Sequence, residues 1–283
     1  MVSTAYGGLT MPTHIEWAEE AWNPVVGCSR VSSGCANCYA IPIAHRLEGN
    51  PNKKVSAPYR GLTVVRENGS VDWTGTVRLL SERLHIPLSW KKPRRVFVNS
   101  MSDLFHESLP FEDIEQVFEV MTWRIPSEDA EPDWVMPHTF LILTKRPERM
   151  AEFIASYGYG DAPNIWWGVS CEDQQTWEIR VPILLGTPVK VRWVSAEPVL
   201  DYIVPYGVDK LDWVVVGGES GPRARPCRLN RIEWMVRDCR SVGTPVFVKQ
   251  LGSHLARVMG LEDRKGGNIE EFPSHLRVRG YPS

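Results

Sequence analysis

Three of the chain's six cysteines, Cys28, Cys35 and Cys38, lie within eleven residues, in the run GCSRVSSGCANCYA from Gly27 to Ala40. Six residues separate the first two and two separate the last pair. A Cys-x-x-Cys pair can aim both sulfurs at one metal, and the Ser- and Gly-containing stretch before it is pliable enough to bring back a third. Six cysteines in 283 residues are too few for a disulfide scaffold. Clustered thiols in a reducing compartment therefore read as metal ligands. Three local thiolates leave one coordination position to be filled from elsewhere. Structural zinc would take a fourth ligand such as His45, His106 or a distant cysteine, whereas a four-iron cluster would keep one iron open for an exogenous ligand. Zinc-assisted hydrolysis needs histidine ligands, and the seven histidines are scattered without a close pair.

Other chemistry-bearing residues follow short apolar runs. Those runs are Arg95 to Asn99, Thr139 to Leu143, Asn164 to Val169, Val191 to Val194, Leu211 to Val216 and Pro245 to Val248. Continuous apolar character, without strict alternation, is expected of strands buried on both faces, which are parallel strands with helices outside. Glu112 to Arg124, Pro147 to Tyr157, Gln174 to Leu185 and Arg231 to Val242 have helical length and apolar spacing, and supply the crossovers. The connection from Val191 to Leu211 carries Pro198 and Pro205 and reads as a loop. With a possible first strand near Trp22 to Val26, the layout predicts an α/β fold, a full or partial TIM-like parallel β/α barrel, with a doubly wound sheet as the alternative. One elaborated domain over 1–283 is expected, with 48–90 as an insertion or lid and 252–283 as a C-terminal extension, both flanking the barrel mouth.

In such folds the functional groups gather at the carboxyl ends of the strands. Here those ends carry Asn99, Ser100 and Asp103; Lys145; Ser170 and Glu172; Ser195 and Glu197; Glu219 with Arg223 and Arg225; and Lys249 and Gln250. Carboxylates and cations brought to one concave rim cost desolvation unless they pair or bind something. Asp103, Lys145, Glu172, Glu197, Glu219 and Lys249 are thus expected to line a polar pocket, and all but Glu219 are candidates for catalytic roles not yet assigned.

Composition sets outer limits. The chain is 43% hydrophobic and 23% charged, which excludes disordered and collagen-like architectures. The formal charge of -2 provides no global field for nucleic acid or membranes, so such a partner must meet a local patch. Lys91, Lys92, Arg94 and Arg95 near Trp90, and the arginines after Gly252, are the candidate patches. No run approaches a spanning helix and Met1 to Pro12 lacks a signal-peptide pattern, so the expectation is a cytoplasmic protein without a membrane partner.

The cysteine loop, with Trp22-Asn23-Pro24 before it and Tyr39-Ala40 after it, resembles the phage-type three-Cys-motif family of radical-SAM-like iron–sulfur proteins. Similarity extends to NSMSDLFHE (Asn99 to Glu107), LTKRPERM (Leu143 to Met150), WGVSCEDQ (Trp167 to Gln174), VSAEPVL (Val194 to Leu200), VVVGGESGPRARP (Val214 to Pro226) and VFVKQLG (Val246 to Gly252). The resemblance implies a radical-SAM-like barrel in which Cys28, Cys35 and Cys38 hold a [4Fe–4S] cluster whose open iron takes S-adenosyl-L-methionine. Cofactor contacts are expected from Asn23, Tyr39, Ser100, Asp103, Lys145, Ser170, Glu172, Glu197 and Glu219. Such chemistry needs an electron donor and admits a separate partner protein; the phage association points to a nucleic-acid or nucleotide substrate, in DNA modification or repair. The six-then-two cysteine spacing departs from the usual three-then-two, and Gly217-Gly218-Glu219 follows a late strand, so its likeness to the superfamily's cofactor-amine motif transfers no role. The reading from another class is a non-catalytic, zinc-stapled barrel that binds nucleic acid or a protein.

Overall fold

The computed structural model describes residues 15–123 and 136–282, so the expectations resting on Met1 to Pro12, Arg124 and Ser283 fall outside it. In chain order the strands are β1 (Glu20–Trp22), β2 (Val25–Val26), β3 (Thr63–Val65), β4 (Val71–Trp73), β5 (Arg78–Leu79), β6 (Arg95–Val98), β7 (Thr139–Thr144), β8 (Ile165–Ser170), β9 (Val191–Ala196), β10 (Trp213–Gly217) and β11 (Val246–Gln250). The helices are α1 (Ala40–Glu48), α2 (Lys53–Ser56), α3 (Ser81–Leu84), α4 (Phe111–Met121), α5 (Pro147–Tyr157), α6 (Gln174–Gly186), α7 (Leu229–Val242) and α8 (Ser253–Met259). All six apolar runs are strands of one seven-stranded sheet, ordered β1-β6-β7-β8-β9-β10-β11. The pairings of β1 with β6, β6 with β7, β8 with β9, and β10 with both β9 and β11 are parallel. Sheet order follows chain order without reversal, unlike a doubly wound sheet, which turns back at a switch point. The expected first strand is split: β1 joins the large sheet, while β2 pairs antiparallel with β5.

The chain divides into two compact units. The first comprises the described residues of Met1–Ser29, Ala40–Ile142 and Ala162–Ile165. Its core is aromatic: Trp17 meets Phe97 edge-on at 4.9 Å, and Trp22 lies 5.8 Å from Phe140. Ile114, Val117 and Phe118 of α4 are fully buried, as the helical spacing predicts. The region expected as a lid contains α2, the β3–β4 hairpin, β5 and α3. Its hairpin is tied to α1, because Glu48 accepts from Gly61 N–H and Thr63 Oγ1.

The second unit comprises the described residues of Arg30–Tyr39, Leu143–Asp161 and Trp166–Ser283. On one face of its strands Trp193 and Trp213 are 5.2 Å apart, and Trp213 meets Phe247 at 6.0 Å. Gly168 pairs with Trp193 in register, and a Cβ there would stand 2.3 Å from the indole, so only glycine admits the ring. Helix α6 starts with a reciprocal capping box: Asp173 accepts from Thr176 N–H, and Thr176 Oγ1 accepts from Asp173 N–H. The C-terminal segment runs back along the last strand, with Val248 N–H donating to Val278 O and Gly280 N–H to Val246 O. This covers the edge of β11. Among the described residues, no helix is long and apolar enough to cross a membrane.

Candidate cysteine-loop site

The two units divide the cysteine cluster: Cys28 belongs to the first, Cys35 and Cys38 to the second. In the first unit, Gly27 bridges to Ser102, and the Cys28 thiol donates to Ser29 O at 3.3 Å. Buried His106 accepts from Ser108 N–H through Nδ1, which leaves Nε2–H to donate to Ser29 Oγ at 2.9 Å. The other histidine considered for zinc, His45, engages Thr63 Oγ1 at 3.1 Å. Asn23 Oδ1 accepts from Ser100 Oγ and Met101 N–H, and Asp103 caps the next turn through Phe105 N–H. Asn99, at the end of β6, holds a left-handed backbone (φ 63°) and accepts from Val25 N–H, so its carboxamide fixes where β2 begins.

In the second unit, the loop Arg30–Tyr39 is clamped from beneath by two carboxylates. Glu172 is 0% exposed, and its Oε1 accepts from Ser32 Oγ at 2.7 Å and faces Lys145 Nζ at 3.3 Å. Its Oε2 pairs with Arg180 at 3.0 Å, and Arg180 also donates to Ser170 O. A Cβ at Gly34 would lie 2.2 Å from Glu172 Oε1, so this position of the loop must be glycine for the backbone to rest on the carboxylate. Alongside it, Ser33 Oγ donates to Asp173 at 3.2 Å. Glu219 holds the other end. It accepts from Asn37 Nδ2 at 3.1 Å and from Arg225 Nη2 at 2.6 Å, while Arg225 Nη1 donates to Ser33 O. Burial alone would raise the Glu219 pKa; hydrogen bonds from the Arg225 side chain and backbone and from Asn37, with the Arg225 charge, outweigh it and hold the carboxyl below its ordinary range. Arg30 closes the loop from within by donating to Cys35 O and Ala36 O, both at 2.6 Å.

All six cysteines are thiols, in two environments. Cys28, Cys35 and Cys38 are half-buried, whereas Cys171, Cys227 and Cys239 are buried. Burial pushes the Cys227 thiol up to about 11 and Cys239 to about 12, and raises Cys171 as well, so the scattered three are held protonated. Among the described residues, no group of three or more His, Cys, Asp or Glu side chains is arranged to hold a metal. The donor set nevertheless matches a thiolate-preferring iron or zinc centre in chemistry: three half-buried thiols in short loops.

The other expected pocket residues separate into distinct contacts. Glu197 and Lys249 form a two-point ion pair, Nζ lying 2.6 and 2.8 Å from the carboxylate oxygens. Tyr39 is exposed, and Asp103 belongs to the first unit. Ser32, Gly34, Asn37 and Arg180 escaped the sequence reading as site residues. The first three sit inside the cysteine run, where a signal was available; Arg180 sits in α6, with nothing local to mark it. The candidate basic patches are partly committed. Arg94 pairs with Glu20 and lies over Trp90, and Arg279 stacks on Phe247, while Lys91 and Lys92 are exposed.

Fold and site together define an α/β protein with a consecutively ordered sheet and a carboxylate-clamped thiol loop. The chain belongs to the family described as protein of unknown function (DUF5131), whose model matches residues 12–271. No curated protein and no solved structure matches the chain.

Proposed function

We propose that the protein is an iron–sulfur enzyme of the radical-SAM type. Cys28, Cys35 and Cys38 hold a [4Fe–4S] cluster, the sheet forms a partial parallel β/α barrel, and the substrate is a nucleic acid or nucleotide undergoing modification or repair. The observation that carries this reading is the clamp on the Cys35–Cys38 loop. A surface turn needs no buried carboxylates, yet Glu172 and Glu219 are both sequestered and hydrogen-bonded to it. Such investment in backbone position makes sense where the loop's side chains must meet a rigid inorganic geometry.

When bound at Cys28, Cys35 and Cys38, such a cluster would supply one-electron reducing chemistry to a cofactor at its open iron, the electron being drawn from an external donor. This chain's own residues hold the loop. Arg30 engages the Cys35 and Ala36 carbonyls, and Glu172 and Glu219 fix its two ends. The consecutive strand order supports the barrel reading, since a barrel winds through its strands in sequence. Exposed Arg223 and Arg228, on the segment whose Arg223 carbonyl accepts from Asn37, support a phosphate-bearing substrate. The electron donor and any partner protein are external, and the expected compartment is the cytoplasm.

Replacing each cysteine by alanine separates ligands from bystanders. C28A, C35A and C38A should each abolish iron retention after reconstitution, whereas C171A, C227A and C239A should retain it. Full iron and visible absorption in C38A would overturn the ligand assignment.

A further inference from the structure

Away from the cysteine loop, the second unit carries an exposed aromatic row on the segment between β9 and β10. From Tyr202 to Tyr206 burial alternates: Ile203 and Pro205 are buried, while Tyr202, Val204 and Tyr206 are 39%, 36% and 67% exposed. Helix α6 pins the backbone beneath them. Val204 N–H donates to Gln174 Oε1 at 2.7 Å, and Trp177 Nε1 donates to Tyr206 O at 3.1 Å. From α7, Arg231 donates to Leu200 O, and Trp234 meets the Tyr202 ring edge to face at 4.6 Å. Rings that face water from a pinned backbone have already lost much of the freedom that binding would cost.

Guanidinium groups adjoin this row. The stretch Gly221 to Asn230 holds three arginines and no acid. Arg225 is matched by Glu219, which leaves the charges of Arg223 and Arg228 without an acidic counterpart in the stretch, and both residues are exposed. Cys227 Sγ donates to Val199 O at 3.9 Å, so Arg228, the residue before α7, stands beside the start of the aromatic segment. The acids nearby in these elements are engaged: Asp201 pairs with Arg231 at 3.4 Å, Glu233 with His275 at 2.8 Å and Asp238 with Arg237 at 2.8 Å, while Glu178 accepts from Gln174 Nε2 at 2.9 Å. Forked guanidiniums fit phosphate oxygens, and planar rings facing water fit the faces of unstacked bases. An acidic protein would use the cations and leave the rings idle, and a duplex keeps its bases stacked out of their reach.

We infer that Tyr202, Val204 and Tyr206, with Arg223 and Arg228, form a track for single-stranded nucleic acid. The tyrosines stack on bases, Trp234 props the Tyr202 ring, and the arginines hold the phosphates alongside. This rests on the nucleic-acid part of the function proposed above and specifies that the strand is single. It does not depend on the iron–sulfur centre.

Fluorescence anisotropy of a labelled oligothymidylate of about twelve nucleotides, within the site size of such platforms, titrated with the full chain, tests it. The single strand should bind, and the same strand annealed to its complement should bind at least about tenfold more weakly. Y206A should weaken single-strand binding at least about fivefold, the loss of one stacked base. R223Q and R228Q should each make the logarithmic salt dependence shallower by roughly 0.7, one phosphate contact on a single strand. Circular dichroism checks folding, and the two arginine variants carry the test if Y206A fails to fold. Equal or tighter binding of the duplex would overturn the single-strand inference and leave the nucleic-acid reading standing, whereas no binding of either form at low salt would overturn both. Variants that bind like wild type, or polyglutamate that competes as well as unlabelled strand and so marks an acidic protein as the partner, would overturn the track. Iron content of the same preparations reports separately on the cluster.

Discussion

Glu172 concentrates the energetics of the site in a single side chain. It is fully buried, faces Lys145 and Arg180, and accepts from Ser32. Converting it to glutamine preserves shape but leaves buried Arg180 facing a neutral amide. E172Q should lower unfolding stability by about 3 kcal/mol, as when one partner of a buried pair is removed, read from urea midpoints; a change within the range of surface substitutions would show that the pair is solvated. Glu219 makes a pH prediction. Its carboxyl is held below the ordinary value of 4.5, so the folded state binds its proton less readily than the unfolded chain. Its contribution is therefore complete above about 4.5 and is lost as pH falls through the lower folded value. Wild type and E219Q should differ by a constant amount near neutrality and converge in acid; a stability gap independent of pH down to acid unfolding would contradict the clamp.

At the scale of elements, the C-terminal segment acts as an edge cover. Val278 and Gly280 pair with β11, Trp213 Nε1 donates to Gly280 O at 2.7 Å, and Tyr281 stacks on Trp213 at 5.5 Å. Truncation before Arg277 would bare the N–H and C=O groups of the last strand, an invitation to intermolecular pairing. The truncated chain should elute as larger species than the full chain in size-exclusion chromatography and melt at lower temperature; identical elution and melting would show the edge needs no cover. The sequence made the β6–β11 strands and α4–α7 readable, because continuous Val, Ile and Trp runs and helical spacing are local signals. The edge pairing was not readable. It joins Phe247 to Arg279 across the intervening chain, and Arg279, one of the arginines of the candidate C-terminal patch, lies over the Phe247 ring and donates to Gly267 O. The site divides the same way: the cysteines announced themselves by spacing, but whether Glu172 and Glu219 face an open pocket or a clamped loop depends on contacts such as Ser32 with Glu172, far apart in sequence.

For the whole molecule, a consecutively ordered parallel sheet and a clamped thiol loop stand together in one chain of the DUF5131 family. With a net charge of -2, any attraction to the proposed phosphate-bearing substrate must come from local cations such as Arg223 and Arg228, not from a field of the entire protein. The proposed function stands on a cluster at Cys28, Cys35 and Cys38. The most direct measurement is the visible absorption spectrum of protein purified without oxygen, with iron and acid-labile sulfide determined on the same sample. A [4Fe–4S] cluster on these thiols predicts a brown protein with broad visible absorption, on the order of four irons and four sulfides per chain. A colourless protein that carries zinc and takes up neither iron nor sulfide on reconstitution would contradict it and favour a zinc-stapled binding module.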